Sequence, residues 1–383
     1  MKYWVNILHI YQPPTQEKEV VEKVSDESYT LILKLLRTYP SLKITLNING
    51  SLIELLEKFG RKDILEGIKE FAGEGRIELL GSAMYHPILP LLSKAEIERQ
   101  IRLNEEILKK YFGEAYKTRG FYLPELAFSK KVADAVKKLG FSFLVLDETH
   151  SEIKVNNDVA YFLKGNGLAV IFRSTEFSKT FPPEYIFNNK DKIQSEYLVT
   201  LHDGELYGHW HKDDKGYYER IFTDASIKTL TASEYISGLV RKEIVAVREA
   251  NWESTKQELE EKIPFGLWDD PRNVIHRRLN SFKNFVLKTV ESSRSDIGYE
   301  LARKYADKGV ASCAWWWASE RKIGPFSPVS WNPTEIEKGA KQLLFAVRSL
   351  QDVDAELKLK AEKLFAKLHT IIWEKHWKEH KNG

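Results

Sequence analysis

Short, largely apolar runs alternate with stretches of helical spacing along the first two-thirds of the chain. Trp4 to Ile10, Leu42 to Ile48, Arg76 to Gly81, Thr118 to Leu123, Phe141 to Leu146, Val170 to Phe172, Tyr197 to Leu201 and Ile244 to Val247 are too short and too continuously apolar for surface helices, and predict β-strands. Helices are predicted between them, about Ser28 to Arg37, Leu52 to Lys58 and Ile64 to Ala72. Two more open at cap signals, Ser93 with Glu96 and then Ser129. Met84 to Pro90 contains two prolines and reads as a long strand-to-helix loop. Beyond Asp270-Pro271 the pattern becomes helical only, with helices expected about Val274 to Glu291, Ile297 to Lys308, Thr334 to Leu350 and Asp354 to Lys378.

Strands alternating with helices imply an α/β fold with a parallel sheet. Polar residues gather where the strands end: His9, Tyr11 and Gln12 at the end of the first, Glu125 after Pro124, Asp147-Glu148, and the dense stretch Asp203 to Trp210. That distribution favours a barrel, in which ligands are met at the carboxyl ends of the strands. The expected organisation is a barrel domain over residues 1–270 and a helical domain over 271–383, without internal repeats.

The 383 residues carry 58 lysines and arginines against 55 aspartates and glutamates, so no net field points to nucleic acid or to a membrane surface. No run approaches the roughly 20 apolar residues of a membrane span, and the amino terminus lacks a cleavage site of small residues. A soluble, cytoplasmic protein is expected, and the oligomeric state is left open. One cysteine excludes an intrachain disulfide and a cysteine-based zinc site. Scarce methionine and cysteine beside abundant lysine and glutamate resemble a thermophile's composition.

Two carboxyl groups on different strand ends suit cleavage of a glycosidic bond. One must protonate the leaving oxygen and the other must attack or activate water. Glu125 and Asp203 are the candidates; the plain alternative is that Glu125 caps the next helix and Asp203 holds a turn. His376 and His380, one helical turn apart, could chelate a metal, but they stand in a lysine-rich tail without an evident third ligand.

Four fragments in order carry a resemblance: Leu8-His9-Ile10-Tyr11-Gln12-Pro13, Gly75-Arg76-Ile77-Glu78-Leu79, Phe121-Tyr122-Leu123-Pro124-Glu125, and Asp203-Gly204-Glu205-Leu206-Tyr207-Gly208-His209-Trp210. Together they resemble glycoside hydrolase family 57, which includes α-amylases and 4-α-glucanotransferases. Looser likeness runs through Asn251 to Ser254 and Pro264 to Trp268. The resemblance implies an incomplete seven-stranded (β/α) barrel followed by a C-terminal helical region. It also implies a retaining mechanism on α-1,4-linked glucan or maltooligosaccharide that needs no cofactor or metal. Glu125 falls on the family's nucleophile and Asp203 on its acid/base. Around them His9, Tyr11, Gln12, Tyr122, Tyr207, Trp210, Trp252 and Trp316 are expected to meet sugar, with Asp147 a further ligand. His209 is expected to bind sugar or hold Asp203, and Glu78 and Glu205 to orient these partners or tune Asp203. Tyr11 departs from the family, whose first motif commonly carries a second histidine there.

Branching enzyme and amylopullulanase share these motifs and remain open. So do two other classes: a metal-dependent barrel of the polysaccharide deacetylase or α-mannosidase kind, built on His9, His86, Asp147 and His202, and a carbohydrate-binding relative without catalysis.

Overall fold

The computed structural model describes residues 1–117, 119–322 and 329–380, with the side chain of residue 380 excluded. It divides into two compact units. The first holds Met1–Gln12, Gln16–Met84 and Leu89–Glu253; the second holds Pro13–Thr15, Tyr85–Ile88 and Ser254–Gly383. The expected boundary near residue 270 therefore falls inside the second unit.

The first unit contains β1 (Lys2–Ile10), β2 (Ile44–Ile48), β3 (Ile77–Leu80), β4 (Gly120–Tyr122), β5 (Phe143–Asp147), β6 (Val159–Leu163), β7 (Ala169–Arg173), β8 (Tyr197–Asp203), β9 (Ile227–Leu230) and β10 (Arg241–Val245). β3, β2, β1 and β8 form one parallel sheet, with β9 alongside the start of β1. β4, β5 and β7 are parallel neighbours in the other, which continues through β6 to β10. Two seams join them. Gly81 links β3 to β4, its N–H donating to Gly120 O (3.0 Å) and its carbonyl accepting from Tyr122 N (2.8 Å). At β7 and β8, Ser174 N donates to Val199 O (2.8 Å) and Arg173 Nη1 to Leu201 O (2.7 Å). The ring β1-β2-β3-β4-β5-β7-β8 is thus a seven-stranded parallel barrel, with β6 and β10 outside it.

These strands are buried on both faces, which is why they read as continuous apolar runs. Alternation still divides them. Val5, Ile7, Leu80, Tyr122, Phe143, Val145, Ile171, Val199 and Leu201 form one cluster, while Leu8, Ile10, Leu46 and Ile48 pack with residues of the surrounding helices. His9 and Asp203 continue the alternation of Val5, Ile7, Val199 and Leu201, and so rise above the first cluster.

The second unit is helical, with Val274–Ser292, Tyr299–Gly309, Pro333–Ser349 and Ala355–Lys375 as its long elements. Trp268 and Trp315 are buried in it, as is the ion pair Arg303–Asp307. Trp316 ends the short helix Cys313–Trp316, half-buried and edge-on to Trp317.

Candidate active site

Each proposed acid sits where a strand breaks into a single 3-10 turn. After β4 the turn is Pro124–Leu126, and Glu125 and Leu126 both take left-handed backbone (φ 58° and 48°). For residues with a Cβ such conformations cost on the order of 1–3 kcal/mol each and persist only where packing dictates them. Glu125 does not cap the next helix; the Ser129 hydroxyl accepts from Val132 N instead. After β8 the turn is Gly204–Leu206, and the Asp203 side chain makes no capping hydrogen bond to it. The plain structural reading of both carboxylates is therefore removed.

Glu125 is gripped by Trp252, whose indole N–H donates to Oε2 (2.8 Å) and whose backbone N–H donates to the Glu125 carbonyl (3.2 Å). Burial, then the Asp203 charge, push the Glu125 carboxyl up to about 8, against the lowering effect of the indole donor. Asp203 is exposed to solvent, yet many protein atoms crowd round it. This crowding lifts its carboxyl to about 6; the Arg173 charge opposes the rise and Glu253 adds to it. Asp203 thus raises Glu125, and two acids coupled in this way titrate as a pair.

His9 lies beside Asp203 in register on one side and beside Asn47 on the other, so its Cα stands about 4.8 Å from each. Its ring stacks on Tyr122 (centroids 4.4 Å apart) and more loosely on Tyr11 (6.1 Å), with Trp252 edge-on at 6.4 Å. Nδ1 meets Asn47 Oδ1 at 2.7 Å, and burial drops the imidazole to about 4, so His9 is neutral with Nδ1 as donor. Glu205 is buried. It accepts from Tyr29 Oη (2.6 Å) and, at 3.4 Å, from Gln12 Nε2, and burial followed by the Asp203 charge pushes it up to about 8. His9, Tyr11, Gln12, Tyr122, Glu205 and Trp252 thus form one constellation with the two acids.

Other expected residues are placed elsewhere. Asp147, fully buried, binds Arg173 Nε (2.6 Å), Thr149 and Thr175 Oγ1 (2.9 Å), which leaves it an internal ion pair and not a sugar ligand. Glu78 lies in the first half of β3, away from the carboxyl end, and accepts from Ser233 at the start of the helix Ala232–Gly238, so it does not tune Asp203. Tyr207 is buried in the core, stacked on His202 and accepting from Asn6 Nδ2 (2.9 Å), not facing sugar. His209 Nδ1 meets Glu27 Oε2 at 2.5 Å and so anchors a neighbouring helical segment, not Asp203. Trp210 is 53% exposed. Trp316 belongs to the second unit. His376 accepts from Trp331 Nε1 (3.3 Å), and the His380 side chain lies outside the described residues.

Three contributors escaped the sequence reading. Tyr29 hides on an amphipathic helical stretch. Glu253 adjoins Trp252 without a signature of its own. Arg173 is visible only as a charge closing the apolar run Ala169 to Phe172. Among the described residues no helix is long and apolar enough to cross a membrane, and no group of three or more His, Cys, Asp or Glu side chains is arranged to hold a metal ion.

The class is thus a parallel barrel with a crowded carboxylate pair and a neutral histidine at the carboxyl ends of its strands. The sequence profile of glycosyl hydrolase family 57 matches residues 2–248, and the chain belongs to that family. It is 25% identical over 260 residues to an α-amylase of Pyrococcus horikoshii, covering 62% of this chain and 40% of that protein. A 4-α-glucanotransferase of Thermococcus litoralis is 24% identical over 354 residues, covering 81% and 53%. The chain therefore spans about half the length, or less, of these curated relatives. A solved family 57 branching enzyme of Pyrococcus horikoshii superposes with a TM-score of 0.72 at 17% identity, over 97% of this chain and 96% of that one, a likeness of fold.

Proposed function

We propose that the chain is a retaining glycosidase or transglycosidase acting on α-linked glucan, with Glu125 as nucleophile and Asp203 as acid/base. The observation that carries this is the pair itself: two electrostatically coupled carboxyls on separate strand ends, neither engaged in capping. Glu125 attacks the anomeric carbon while Asp203 protonates the departing oxygen. Asp203 then takes the proton of the incoming water or sugar hydroxyl. Neutral His9 offers a hydrogen bond to a sugar hydroxyl, and Tyr11 and Trp252 offer ring faces.

A second reading exchanges the two roles, and the higher value of the Glu125 carboxyl favours it. A fluorinated α-glucosyl fluoride that traps the glycosyl-enzyme decides between them by peptide mapping: label on Glu125 is expected, and label on Asp203 reverses the assignment. Glu125→Gln and Asp203→Asn should each reduce turnover of maltoheptaose by at least about 10³-fold while the fold is kept. Full activity in either variant sinks the pair. The products of the unaltered chain then separate the activities: sugars longer than the substrate mean transfer, only shorter ones mean hydrolysis, and new branch points mean branching.

A further inference from the structure

One charged side chain acts on Asp203 and packs against the ring that holds Glu125. Arg173, the last residue of β7, is 3% exposed. It stands in register with Asp147 of β5 and donates Nε to Asp147 Oδ2 at 2.6 Å. Its Nη1 donates to the carbonyl of Leu201 (2.7 Å), two residues below Asp203 on β8. The guanidinium lies 5.0 Å from the centre of the Trp252 ring, the same ring whose N–H holds Glu125. A guanidinium suits this place because it is planar, always charged, and offers donors in several directions at once.

We propose that Arg173 is a positioning residue that serves the second half of the reaction, holding Asp203 ready as a base once Glu125 carries the sugar. This rests on the assignment of Glu125 and Asp203 made above. While Glu125 is an anion, its charge helps Asp203 keep the proton it must donate. Once Glu125 is esterified that charge is gone, and the fixed cation favours the Asp203 anion. Water or a sugar hydroxyl then attacks the anomeric carbon, its O–H bond breaks with the proton passing to Asp203, and the bond to Glu125 breaks to release the carboxylate. The other groups facing Arg173 are Asp147, its ion-pair partner, Glu148, Tyr122 and the neutral His202. Glu253 opposes it at Asp203.

The test uses the full chain and a nitrophenyl α-maltooligoside, whose good leaving group makes the first half fast. Arg173→Met should lower kcat about 10²-fold, the scale of a small misplacement at a reacting centre, with kcat/KM nearly unchanged. It should also give a burst of one nitrophenol per chain and move the acidic limb of the kcat profile to higher pH, because Asp203 must be ionised to act as base and rises without the Arg173 charge. Azide, an anion that needs no base, should restore its turnover. Arg173→Lys should return the pH limb but only part of kcat. If Arg173→Met fails to fold because Asp147 is left unpaired, the double variant Arg173→Gln, Asp147→Asn removes both charges and is read in the same way. Unchanged kcat, or a matching fall in kcat and kcat/KM without burst or azide rescue, overturns the inference. A wild-type chain that releases no nitrophenol overturns the parent assignment instead.

Discussion

Glu125 combines a crowded, half-buried carboxyl, a left-handed backbone and an indole donor, Trp252, which opposes the rise that burial and Asp203 impose. Removing the indole N–H takes away the hydrogen bond that favours its ionised form. Trp252→Phe should therefore lower kcat about 10- to 150-fold, the equivalent of ~1.5–3 kcal/mol for a hydrogen bond to a charged group. The acidic limb of the kcat/KM profile should move to higher pH, because the Glu125 carboxyl rises further without its donor. A variant with unaltered limbs would show that the ring is only a packing surface. At this scale the sequence was legible where type and position agree: an acid just beyond an apolar run, as at Glu125 and Asp203. It misled where facing decides. Tyr207 adjoins Glu205 along the chain, yet strand and turn geometry send it into the core. Asp147 looked like Glu125 from its place in sequence, and only Arg173, 26 residues later, determines that it is an internal ion pair.

The turn Gly204–Leu206 is held from outside by the π-helical segment Ser25–Tyr29. Ser28 Oγ donates to Gly204 O (2.9 Å), Tyr29 Oη to Glu205, and Glu27 pairs with His209. π-Helical turns are rare and often mark functional sites, and here one brings successive side chains to a single loop. The grip requires Gly208: its φ is 90°, and a Cβ there would stand 2.1 Å from the Glu27 carbonyl oxygen. Gly208→Ala should destabilise the chain by at least about 1–3 kcal/mol through backbone conformation alone. Denaturant midpoint and kcat/KM should fall together, since the displaced turn carries Asp203. Gly216→Ala, at φ 71° with nothing within 4 Å of the new methyl, is the control and should leave kcat/KM intact. Hydrophobic period located most of the elements, and the Ser93 and Ser129 caps fell as expected. Lys18–Val24, β6 and β9 were not foreseen. The helix is short, β6 lies outside the ring, and β9 mixes Lys228 and Thr229 into an apolar run.

Over the whole molecule, buried ionisable groups pull stability in opposite directions with pH. Glu125 and Glu205, at about 8 in the fold against 4.5 when free, hold protons the unfolded chain has released. Their contribution is full below pH 4.5 and is lost as pH rises through 8. His9, His202 and His276, each pushed down to about 4 by burial, contribute above pH 6.5 and lose it as pH falls to 4. With Asp203, at about 6, offsetting part of the histidine gain, thermal unfolding should show stability falling as pH rises from 6.5 through 8, and Glu205→Gln should flatten that alkaline fall. An alkaline slope unchanged in that variant would remove Glu205 from the account. The seven-stranded ring was readable as strands and helices in alternation, but its closure was not, since among the described residues no ladder joins β7 to β8. That closure has a consequence for association between chains. The β8 edge facing β7 would present bare backbone groups, a template for a foreign strand. It is met instead by Arg173 on the Leu201 carbonyl, Ser178 Oγ on the Leu201 N–H (3.2 Å) and Ser174 N on Val199 O. The residues that stitch Asp203's strand into the barrel also guard it against aggregation.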